Sequence, residues 1–310
     1  MNTTNKPIDH FINIYSSYFD KEQGSFKESI QKLTKSWSVS GFNTSLLTPS
    51  QYPVEFSYNF KTPSLSYTIE VLDALESPSN KWSFLNDLLK LSLENKFPEL
   101  LPFAKDKSQK FGLWLSVRHI LDNTYYKIYQ EVTHNTQNRA RHLVESYFPM
   151  LNEIPFEVKL IGHTISKESH PEFYFSFGYI NEAILFKLLK IGEVQSQTFF
   201  LLSHIAALRA KPYEDALSEI KTGLSLKVTN HVPVVTVFFH APELFNDNTQ
   251  SIKKIKKLAR ELDGNMQLYE QLTKPVNTVD DLPPIHSVLS FKISTSNPLE
   301  FSVGLSPYSV

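Results

Sequence analysis

The groups in this chain that can do acid–base or anion chemistry are a pair of carboxylates and a dispersed set of cations. Glu55 and Glu70 lie in Tyr52-Pro53-Val54-Glu55-Phe56-Ser57-Tyr58-Asn59-Phe60 and, after Lys61-Thr62-Pro63, in Ser64-Leu65-Ser66-Tyr67-Thr68-Ile69-Glu70-Val71. Both stretches alternate strictly: Val54, Phe56, Tyr58 and Phe60 against Glu55, Ser57 and Asn59, then Leu65, Tyr67, Ile69 and Val71 against Ser66, Thr68 and Glu70. Side chains alternate across a strand, so this is a hairpin with one apolar and one polar face. Arg118, Lys127, Lys159, Lys227 and Lys292 stand on the polar parity of later strand-like runs, with Tyr129 and Tyr174 as hydroxyl donors. Such a ring binds a polyanion such as a diphosphate without Gly-rich backbone. With a carboxylate at another depth, it suits a reaction that ionises a diphosphate and then removes a proton. Singly, each lysine reads as a solvated strand residue and Glu55 as a surface carboxylate; the shared parity is what makes them a set.

Five hairpins carry these residues: 54–60 with 65–71, 111–120 with 125–132, 156–163 with 173–179, 224–229 with 234–240, and 286–294 with 299–306. Turn residues, such as those in Leu121-Asp122-Asn123-Thr124, punctuate the gaps. The polar parities read Trp114, Ser116, Arg118, then Lys127, Tyr129, Glu131; Glu157, Lys159, His163, then Tyr174, Ser176; Ser225, Lys227, Thr229, then Thr236, His240; and His286, Ser290, Lys292, then Glu300, Ser302, Ser306. Helical spacing lies between the hairpins, at 26–37, 82–93 with a cap at Ser79, 139–148, 182–191, 199–208 extended by 213–220, 251–262 and 266–272. The helix–hairpin unit recurs at roughly 45–70 residues, too unevenly for a regular solenoid. Ten antiparallel strands with one apolar face, and helices to cover it, predict an α+β fold: a closed barrel with a polar lumen, helices outside and no free edges. An open sheet with its polar face in water explains the alternation equally well. It does not explain Lys, Arg, Tyr, Trp and His at mid-strand.

Composition removes other readings. A net charge of −1 gives no electrostatic case for nucleic acid or an anionic membrane surface. The absence of Cys excludes disulfides, thiolate metal sites and a Cys nucleophile. No apolar leader or membrane-length run is visible, which points to the cytoplasm. Phosphate-loop, dinucleotide, HExxH and GxSxG motifs are all missing, and Asp280-Asp281 runs into Leu-Pro-Pro rather than into the spaced aspartates of helical terpenoid synthases. The expectation is one domain over 1–310, with 1–24 as an N-terminal extension.

Pro53-Val54-Glu55-Phe56-Ser57-Tyr58-Asn59-Phe60 is similar to the first-strand pattern of the dimethylallyltryptophan synthase family of aromatic prenyltransferases. Lys127-Ile128-Tyr129, after a tight turn, resembles that family's second-hairpin K-x-Y element, and the αββ repeat count matches its prenyltransferase barrel. The length is nearer the bacterial members, such as the indole prenyltransferases of teleocidin, lyngbyatoxin and hapalindole-type pathways. The resemblance implies transfer of a dimethylallyl or geranyl group from its diphosphate to an indole or similar ring. It assigns Glu55 to the indole N–H and Lys127 and Tyr129 to the diphosphate. Trp114, Tyr174 and Phe238 would shield the allylic cation by cation–π contact, with His240 in the acceptor pocket. The chain departs from the pattern at Ser66, where an Arg is usual, and over 173–177, where bases are usual. Lys159 and Arg118, or a magnesium ion, would supply the missing charge; the sequence leaves magnesium open, as it does a monomer or a homodimer. Two other readings stand beside the enzyme: a non-catalytic barrel carrying an apolar aromatic ligand, and an open-sheet interaction module.

Overall fold

The period-two alternation closes into a ring. The computed structural model describes residues 6–19, 23–35, 37, 44–73, 76–120, 123–166, 170–229, 232–278, 282–295 and 299–308. The elements run α1 (Lys6–Tyr18), α2 (Gln23–Thr34), β1 (Val54–Asn59), β2 (Leu65–Glu70), α3 (Pro78–Leu89), α4 (Leu93–Lys96), α5 (Leu101–Ala104), β3 (Leu113–Ile120) and β4 (Asn123–Glu131). They continue with α6 (Gln137–Tyr147), β5 (Glu157–Thr164), β6 (Glu172–Tyr179), α7 (Glu182–Ile191), α8 (Thr198–Arg209), β7 (Lys221–Thr229), β8 (Val232–His240), α9 (Ala241–Leu244), α10 (Asn248–Glu261), α11 (Gln267–Thr273), β9 (His286–Ile293) and β10 (Glu300–Leu305). Each strand pairs antiparallel with its neighbours in chain order, and β10 returns to β1, giving a closed ten-stranded barrel.

The apolar parity faces outward into a helix-covered core. Val54, Phe56 and Tyr58 of β1 are fully buried, while Glu55, Ser57 and Asn59 between them are not. Phe11 and Tyr15 of α1 and Phe26 of α2 pack their rings on Phe56. The first hairpin turns on Asn59, whose Oδ1 accepts from the backbone N–H of Lys61 and Thr62. On α3 the cap is Ser77 rather than Ser79: the Ser77 Oγ accepts from the Asn80 N–H, and Pro78 starts the helix. The 213–220 run forms only a short 3-10 turn, Tyr213–Asp215, followed by turns and by Glu219 with a left-handed φ of 61° just before β7. Leu121 and Asp122 of the second hairpin's turn lie outside the described residues, as do Asp280 and Asp281.

Bulges correct two of the polar assignments. On β5, Val158 pairs with Phe175 and Leu160 with Tyr174, so Lys159 is an extra residue. On β9, three steps from Leu289 to His286 match two steps on β10, from Val303 to Leu305. One inserted residue flips the face of everything beyond it. His163 and His286 therefore point outward rather than into the lumen: His163 is fully buried against Phe97, and His286 is buried under α10 and α11.

Candidate active site in the barrel lumen

Glu55 projects from β1 into the lumen. It stands beside Thr68 on β2, with Ser287 of β9 donating a hydrogen bond to its Oε2. Gly304 of β10 makes the room: a Cβ there would lie 2.6 Å from the Glu55 carboxyl carbon. Burial raises the Glu55 carboxyl to about 7, opposed only by the Ser287 hydrogen bond. A carboxyl poised near neutrality is suited to taking a proton.

A cationic cluster lies on the wall formed by β4 to β7. Lys127 donates to Glu172 Oε2 at 2.5 Å and to the Tyr174 hydroxyl at 2.7 Å. Its ammonium stands 4.7 Å from the Tyr129 ring centre and 5.0 Å from that of Tyr174. Gly162 on β5 allows this reach, because a Cβ there would come within 2.7 Å of Lys127 Cε. Ser225 of β7 donates to the other Glu172 oxygen at 2.7 Å. Burial acts to raise the Glu172 carboxyl, but Lys127, Ser225 and Lys227 outweigh it and hold it at about 2. Burial likewise acts to lower Lys127, and Glu172 overrides it, so the ammonium is held above its ordinary range. Lys227 lies directly opposite Glu172 in the ladder and has no ion-pair partner among the described residues. Burial draws it downward against the pull of Glu172.

The remaining sequence candidates divide. Lys292 faces the lumen but is paired with Glu300 at 3.2 Å. Lys159 sits at its bulge, half exposed and paired with Glu157 at 2.6 Å. Arg118 is exposed, between Ser66 and Tyr125 on the neighbouring strands. His240 is also exposed, at the end of β8, apart from the cluster. The aromatic candidates form an arc: Trp114 pairs with Tyr129 across β3 and β4, Tyr129 meets Tyr174 edge to face, and Tyr174 leans on Phe238. Trp114 is fixed by stacking on Phe111 at 4.0 Å and by donating to Glu70. Glu70 itself is a buried structural carboxylate, held 2.9 Å from Lys81 and hydrogen-bonded by Ser45.

Sequence reasoning missed Glu172, Ser287 and the three lumen glycines, Gly162, Gly223 and Gly304. The signal was present. In a chain with only 9 Gly, an isolated glycine inside a strand marks a close approach. Gly223 lets the Phe238 ring lie across β7. No group of three or more acidic or His side chains is placed to hold a metal ion among the described residues. A surface cleft of about 360 Å³ lies outside the barrel wall, lined in part by Ser251 and His286. Ser251 donates to the Asn248 carbonyl and Tyr269 bonds the far His286 nitrogen, so this relay pins β9 rather than activating a nucleophile.

No protein-family model and no curated protein matches the chain. Solved structures do match its fold. A 5-dimethylallyl tryptophan synthase from Streptomyces coelicolor, in complex with DMASPP and Trp, superposes with a TM-score of 0.80 at 13% identity, over 98% of this chain and 95% of that one. A 6-dimethylallyltryptophan synthase from Micromonospora olivasterospora, in complex with DMASPP and Trp, gives 0.78 at 11% identity over 99% and 98%. AnaPT from Neosartorya fischeri gives 0.63 at 11% identity over 87% and 80%. The architecture is thus the prenyltransferase barrel expected from the αββ repeats.

Proposed function

We propose that this protein is an aromatic prenyltransferase, moving a dimethylallyl or geranyl group from its diphosphate to an indole or similar electron-rich ring. The observation that carries the reading is Glu55: a part-buried carboxyl in a closed lumen, near neutral pKa, which shares that lumen with a wall of cations and aromatic rings. Neighbours of the same fold in complex with DMASPP and Trp support it. The allylic C–O bond breaks as Lys127, Lys227, Lys292 and Arg118, with the hydroxyls of Tyr129 and Tyr174, take up the charge of the leaving diphosphate. Lys159, further out, adds long-range charge only. Trp114, Tyr129, Tyr174 and Phe238 flank the cation, and the closed wall excludes the water that would quench it. The ring carbon attacks, and Glu55 takes the indole N–H or the displaced ring proton. An assay with and without EDTA decides whether magnesium adds charge.

The finer assignments belong to the same proposal: one barrel domain over 1–310 with 1–24 leading into it, a cytoplasmic monomer or homodimer, and an acceptor like those of the bacterial indole pathways. The test is product formation from dimethylallyl diphosphate and an indole acceptor. Glu55→Gln is expected to lower the rate by about 10²–10⁴-fold; a rate within about twofold of the parent removes Glu55 from the mechanism. One observation favours a second reading, a non-catalytic carrier of an aromatic ligand: Lys127 and Lys292 already hold carboxylates. Calorimetric titration with a prenyl thiodiphosphate separates the two, because a carrier has no use for the diphosphate.

A further inference from the structure

Position 172 carries negative charge where anion binding calls for positive. Glu172 is mostly buried, with a side-chain exposure of 14%, and both oxygens are engaged, one by Lys127 and the other by Ser225. The lysine best placed among aromatic rings is therefore neutralised before any ligand arrives. Across the β6–β7 ladder stands Lys227, also facing the lumen and without an ion pair among the described residues. One carboxylate thus sits between two lysines and holds only one of them. An incoming anion that captures Lys127 need not leave Glu172 uncompensated, because Lys227 is already opposite it, and its three N–H donors serve the carboxylate and a diphosphate oxygen together. A buried charge stripped of its partner is costly, and a second partner in register removes most of that cost.

We propose that Glu172 is a specificity-determining residue of the donor pocket: a resident counter-anion that an incoming diphosphate displaces from Lys127 towards Lys227. This rests on the assignment of the lumen as a diphosphate site. An anion must outcompete a carboxylate to enter, so a diphosphate succeeds where inorganic phosphate, with less charge and fewer oxygens, does not. Gly162 is part of the device, since its missing side chain is what brings Lys127 to Glu172.

The test is calorimetric titration of inorganic pyrophosphate and inorganic phosphate into the intact parent protein, Glu172→Gln, and the double variant Lys127→Met/Glu172→Gln. Glu172→Gln is expected to bind pyrophosphate about tenfold more tightly or better, with a larger relative gain for phosphate. The gain is expected to vanish in the double variant, which is neutral at both positions and shows whether Lys127 carries the effect. Equal or weaker pyrophosphate binding by Glu172→Gln, with the parent binding well, overturns the proposal and leaves the diphosphate site standing. Pyrophosphate binding by neither the parent nor Glu172→Gln, with both folded by circular dichroism, removes the diphosphate site and this proposal together.

Discussion

At the scale of the residue, two carboxylates in one lumen are driven in opposite directions. Glu172 has a lysine and is held at about 2; Glu55 has only a hydroxyl and is raised to about 7. The consequence for stability has a definite sign. The unfolded chain releases the Glu55 proton near the ordinary carboxylate value, the folded one only near 7. Folding is therefore unopposed by Glu55 in acid, and the penalty builds as pH rises from about 4.5 to 7. Above that window it amounts to about 3 kcal/mol. Glu55→Gln is expected to raise Tm by several degrees at pH 8 and hardly at all at pH 4.5. Thermal denaturation at the two pH values checks this, and equal effects at both would contradict the burial argument. If Glu55 is the base, the same titration gives kcat/KM an acidic limb near neutrality.

At the scale of the element, glycines and bulges decide where side chains go. Gly304→Ala places a methyl group against the Glu55 carboxyl and Ser287 Oγ. Glu55 is flexible enough to swing aside, so stability is expected to change by less than about 1 kcal/mol while turnover falls about 100-fold. Turnover and a urea melt on one preparation measure both; an unaltered turnover would mean that the Glu55–Ser287 contact is dispensable. These devices also set how far the sequence could be read. Alternation is enforced by burial along whole strands, so the hairpins, their apolar faces and the closed ring were legible. The lumen-facing placement of Glu55, Lys127 and the aromatic arc was legible too, because they lie on uninterrupted runs. His163 and His286 were misplaced because a bulge adds one residue without altering composition. Glu172 was passed over because it opens β6, one residue before the aromatic run 173–177, and nothing local announces its lysine 45 positions away. Ser287 was invisible for a similar reason, its partner being 232 residues distant.

At the scale of the whole molecule, polar ties join the helical shell to the barrel, and one of them is a buried ion pair. Lys81 of α3 reaches Glu70 of β2 at 2.9 Å and the Phe111 carbonyl at 2.8 Å. Lys81→Met strands a carboxylate in the core and is expected to cost about 3–5 kcal/mol in a urea melt. A loss below 1 kcal/mol would mean that water reaches Glu70 after all. The ring imposes a different constraint. β1 and β10 meet at the seam, where Phe56 pairs with Leu305. That is the most non-local pairing in the barrel, and such contacts form late because the intervening chain must first be ordered. Glu55 owes its burial, which outweighs the opposing Ser287 hydrogen bond, to the β9 and β10 strands packed against it from across that seam, Gly304 closest of all. Its unusual affinity for a proton therefore does not exist in a barrel that has folded but not yet shut. During refolding, proton uptake at neutral pH should trail the recovery of helix and sheet, so this one carboxyl is a clock for the last step.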